Sequence, residues 1–77
     1  MELPTISSGR QQLLVDRIER LIAERTSGLI KGLRVEVLPG EVILSGWTQT
    51  YYAKQLATHA ALDAIETGSL VNSIEVH

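Results

Sequence analysis

Two histidines, His59 and His77, are the side chains best suited to move a proton or hold a metal near neutral pH. Either role needs convergent partners, since a catalytic imidazole is oriented by an acid and a metal collects several ligands. Asp63 follows His59 by four residues, which on a helix makes a surface pair and not a site. His77 is the last residue. Ser45 lies in Leu44-Ser45-Gly46, but no His–acid pair is spaced to activate its hydroxyl. Gly40 and Gly46 stand too far apart for a phosphate-cradling loop, and no lysine follows them. Glu36, Glu41, Glu66 and Glu75 are scattered, whereas a hard cation gathers about six to eight oxygens. The absence of cysteine excludes disulfides, thiolate metal sites and a cysteine nucleophile. No catalytic constellation exists, so the sequence predicts a protein that is not an enzyme, takes no cofactor and has no metal site built from side chains.

The elements that carry these residues follow from periodicity. With 77 residues, 44% hydrophobic and 21% charged, the chain is one globular domain with a formal net charge of −2. Residues 1–7 are expected to form a flexible lead and residues 8–77 the domain. Ser8 and Gln11 have capping-box spacing, which predicts a helix from Gly9 to Ser27. Leu14, Val15, Ile18, Leu21 and Ile22 form its apolar stripe, and Asp16 and Arg20 an i,i+4 ion pair. Gly28 is a natural left-handed residue at its end.

Leu33 to Leu38 alternates with period two, placing Leu33, Val35 and Val37 inward. Pro39-Gly40 is turn chemistry, and Glu41 to Trp47 forms the second strand of a hairpin. Gly46 shares the inner face with Val42 and Leu44, where it lets the next helix approach closely. That helix runs from Tyr51 to Glu66, capped by Thr48 or Thr50, with Ala53, Ala57, Ala60, Ala61 and Ala64 as its inward stripe. Gly68 breaks it. A last strand, Leu70 to Val76, keeps Leu70, Asn72, Ile74 and Val76 on one parity. The expected fold class is α+β, a single α-β-β-α-β domain. Its three-stranded mixed sheet carries both helices on one face. A right-handed crossover makes the third strand parallel to the second, and a strand order of 2-1-3 lets the first strand pair on both sides.

The hairpin reads Val35-Glu-Val37-Leu-Pro-Gly40-Glu-Val42-Ile-Leu44-Ser45-Gly46. It is followed by Thr50, an alanine-rich helix, and Val71-Asn72-Ser-Ile74-Glu-Val76. This ordered set, over roughly residues 12 to 76, resembles the BON domain, the bacterial osmotically induced and nodulation protein domain. Gly28, Gly40, Gly46, Gly68 and Asn72 occupy structural positions. Thr48 departs from the pattern, which has an apolar residue there, and Trp47 stands where polar residues are common. The resemblance implies a non-enzymatic domain that binds phospholipid surfaces.

Surface residues give two readings of what it binds. Leu38, Ile43 and Trp47 fall on the sheet face opposite the helices, with Tyr51 close by. A contiguous group with aromatic members marks a surface for a protein partner or for self-association. Arg10, Arg17 and Arg20 lie along one flank of the first helix. With Trp47 as interfacial anchor they would suit an anionic phospholipid surface. An acidic balance argues against nucleic acid as partner. The longest apolar run, Leu13 to Val15, cannot span a bilayer. No secretory signal opens the chain, which predicts a cytoplasmic location, or the envelope if the chain is a fragment of an exported protein.

Overall fold

The apolar stripe of the first segment becomes α1 (Thr5–Thr26), whose Ile18 and Ile22 are fully buried. The computed structural model describes residues 5–65 and 68–77, with side chains from residue 12 onward. α1 is already helical at Thr5, earlier than the Gly9 start that the capping pattern predicts, and it takes in residues 5–7 of the expected lead. Of the capping residue types Thr5, Ser7 and Ser8, only Ser8 has a capping-box partner three residues on, yet the helix runs through that pair instead of starting at it. The side chains of Ser8 and Gln11 lie outside the described residues. Asp16 accepts a hydrogen bond from Gln12 Nε2 at 3.2 Å. At the other end the Thr26 hydroxyl donates to the Ile22 carbonyl at 2.7 Å, and Gly28 N–H donates to the Ala23 carbonyl at 3.0 Å. That second bond spans five residues and closes the helix as a Schellman turn.

Two strands follow as a hairpin, β1 (Lys31–Leu38) and β2 (Glu41–Thr48), antiparallel with Val35 opposite Leu44 and Leu38 opposite Glu41. The register shifts between Lys31 and Arg34, so β1 carries a bulge at Gly32–Leu33. Gly46 sits against that bulge. A Cβ there would lie 2.8 Å from the Lys31 carbonyl oxygen and 3.2 Å from Leu33 Cα. The close approach that requires glycine is therefore made by β1, not by the alanine helix as expected.

α2 (Tyr51–Ala64) is capped by Thr50, whose hydroxyl accepts from Ala53 N–H at 3.1 Å. It ends at Ile65, short of the expected Glu66, which lies outside the described residues. Ala53, Ala57, Ala60 and Ala61 are wholly buried, and both helices pack on one face of the sheet around Ile18, Ile22, Val35, Val42, Leu44 and Ile74. Thr48 is also buried, at 1% exposure, a polar residue in a core place. Filling such a seam is costly. Ala57→Leu is expected to lose about 1–3 kcal/mol, because the two helices must separate to admit the added carbons. Thermal melting followed by circular dichroism checks this, and an unchanged midpoint would show that the helices do not close on Ala57.

The chain then returns as β3 (Ser69–Asn72) and β4 (Glu75–Val76), both parallel to β2. The sheet is thus α+β and mixed as expected, but four-stranded, with β2 in the centre and order β1-β2-β3. The 2-1-3 order is corrected. After β2 the crossover through α2 lands on the neighbouring position, where Gly68 reaches the hairpin turn and Ser69 N–H donates to the Gly40 carbonyl at 3.0 Å. The expected single last strand is interrupted because the Asn72 side chain accepts from Ile74 N–H at 3.0 Å, turning the backbone between them.

Candidate interaction surface

Alternation along the strands puts one set of side chains under the helices and leaves the other on a bare face. On that outer face the cross-strand register sets Glu36, Ile43 and Val71 in one row and Lys31, Trp47 and Glu75 in another. Leu38 closes the hairpin end. Trp47, Leu38 and Val71 are 41%, 44% and 39% exposed, and Ile43 is half-buried between its neighbours. Trp47 meets the His77 ring edge to face at 5.7 Å, and His77 Nε2 lies 3.1 Å from Glu75 Oε1. One flank of the indole opens on a cleft of about 280 Å³ lined by Leu29, Lys31, Thr48, Gln49 and Thr50.

Three of the residues expected at a partner surface, Leu38, Ile43 and Trp47, therefore share the outer face. Tyr51 is exposed on the first turn of α2, one residue beyond the cleft lining. Val71 belongs to the patch and was not singled out from the sequence. Its signal is parity, since it alternates with the inward Leu70 and Asn72, but its neighbour Ile43 depends on the strand order. Leu29 is exposed, and Ile30 takes the buried place in the connector.

The basic flank is arranged differently. Arg17 and Arg20 are exposed on α1, which covers the inner face, whereas Trp47 leaves from the outer one. Arg17 also borders a hollow of about 450 Å³ at the hairpin end with Leu14, Val37, Leu38, Glu41 and Ile65. The side chain of Arg10 lies outside the described residues. Arg17 and Arg20 thus flank the opposite side of the sheet from Trp47.

The candidate chemical residues stay apart. Asp63 pairs with Arg25 at 2.8 Å, tying α2 to α1, rather than with His59. Among the described residues no group of three or more His, Asp or Glu side chains converges on a common point. Among them, too, no helix is long and apolar enough to cross a membrane. The chain matches no family model, no curated protein and no solved structure.

Proposed function

We propose that this domain is a non-catalytic interaction module of BON type, docking a protein partner or a second copy through the outer face of its sheet. The observation that supports this reading is Trp47, held 41% exposed in the row Lys31–Trp47–Glu75 on a face that neither helix covers. A large aromatic side chain with a charged rim is the composition of an interface anchor. Peripheral binding to anionic phospholipid, the other expectation from the BON resemblance, has less support, because Arg17 and Arg20 lie on the opposite side of the sheet from Trp47.

Trp47 is the only tryptophan and reports on its own surroundings. In dilute protein its emission is expected to be red-shifted and quenched by iodide. Docking through the outer face shifts it to the blue as protein concentration or a partner is raised. Trp47→Ala should weaken association by more than 1 kcal/mol while costing the monomer less than that, since the indole is not core. Emission protected from iodide at all concentrations, with a large loss of monomer stability in the variant, would make Trp47 a core residue and remove the anchor.

A further inference from the structure

We propose that the free edge of β1 pairs antiparallel with β1 of a second copy, with Val35 on the twofold axis. Among the described residues, the one strand that neighbours β1 is β2. The direction of its remaining backbone groups follows from β2. The Leu44 carbonyl accepts from Ser73 N–H at 2.8 Å, and those of Gly40 and Thr48 accept from Ser69 and His77. The even-numbered residues of β2 thus turn towards β3 and β4. Val35 and Val37 stand opposite Leu44 and Val42. They are the non-hydrogen-bonded positions of the hairpin, and their N–H and C=O groups point away from β2. Leu33, two residues back, continues that row.

Edge strands are commonly blunted by proline or by charges turned inward. Between the bulge and Pro39, β1 has neither: Leu33, Val35 and Val37 face the core, while Arg34 and Glu36 are exposed on the outer face. Those two charges select a register. Pairing centred on Val35 sets Arg34 of each copy opposite Glu36 of the other, and Leu33 opposite Val37. A shift of two residues one way opposes Arg34 to Arg34, and the other way Glu36 to Glu36, both unfavourable. β1 is therefore self-complementary in the register that uses its outward row, with about six N–H···O=C bonds across the axis.

Two features limit its strength. The bulge at Gly32 ends the pairing at Leu33. α1 packs beside β1, and neighbouring helices need about 8–10 Å where paired strands sit about 4.8 Å apart. The joined sheet must curl with its bare face concave. Association is accordingly weak and is read at high protein concentration.

Sedimentation equilibrium up to about 1 mM tests the pairing, with folding of each variant checked by circular dichroism. Wild type is expected to dimerise. Arg34→Glu opposes acid to acid across the axis and Glu36→Arg opposes base to base, so each alone should weaken the dimer roughly tenfold. Mixing the two variants one to one restores opposite pairs, as does the double exchange in one chain, and both should recover association. Trp47→Ala leaves this association intact, whereas docking through the outer face loses it, so the two readings fail separately. A wild type monomeric throughout the range overturns the proposal. So do single variants that associate as well as wild type, or a mixture no stronger than its components.

Discussion

Gly46→Val is expected to leave most of the protein unfolded at room temperature. Gly46 has φ +140°, a conformation that side-chain-bearing residues rarely adopt, and strain of that kind costs about 1–3 kcal/mol. The steric cost comes on top of it. The obstacles are backbone atoms, the Lys31 and Gly32 carbonyls and Leu33 Cα, so no side chain can swing aside to make room. Relief requires β1 to move off β2 at its bulge, which opens the core over Val35. A loss above about 4 kcal/mol is comparable with the whole stability of a domain this small. Urea denaturation and far-ultraviolet circular dichroism give the measurement. Gly46→Ala should show most of the effect, because the clash begins at Cβ. A midpoint lowered by less than about 5 °C for the alanine variant would mean that the bulge yields easily.

Asn72→Ala should lower the melting midpoint by roughly 10–20 °C, a loss of about 2–3 kcal/mol. Asn72 Nδ2 donates to the Lys54 carbonyl at 3.0 Å and to the Thr58 hydroxyl at 2.7 Å, while Oδ1 accepts from Ile74 N–H. One partly buried amide thus fastens α2 to β3 and sets the turn into β4. Alanine removes all three bonds and leaves the Lys54 carbonyl and Ile74 N–H short of partners beneath the helix. Thr58→Ala, which removes a single partner, should cost about a third as much. Near-equal losses for the two variants would show that the Thr58 contact carries the clamp and the turn contributes little.

Much of this arrangement was legible in residue types. The alternation around Pro39-Gly40 specified the hairpin and its faces, and the alanine spacing specified α2 and its buried side. Gly28 and Asn72 stood at structural positions. Strand order was not legible, because alternation reports which face a side chain takes and says nothing about which edge a returning strand joins. The contact that decides it is non-local, Gly68 against Gly40. The reason for Gly46 was hidden similarly, since the bulge that crowds it lies in another strand. At the surface, Trp47, Ile43 and Leu38 followed from parity, while Val71 awaited the correct neighbour. The arginines of α1 could be grouped on a helical flank, but the separation of Arg17 and Arg20 from Trp47 by the thickness of the sheet is a tertiary fact.

The central place of β2 also orders events in time. Its partnership with β1 is closed by a two-residue turn, whereas β3 and β4 join it only after the whole of α2 has been laid across the sheet. Chain entropy favours the short closure, so the hairpin is expected to form before the C-terminal strands dock. The two costly substitutions therefore differ in kinetic character. Damage at Gly46 is expected to slow folding, and damage at Asn72 to accelerate unfolding, which the two limbs of the chevron report separately. A molecule in its opened, near-native form would keep the β1–β2 ribbon and release its C-terminal end first.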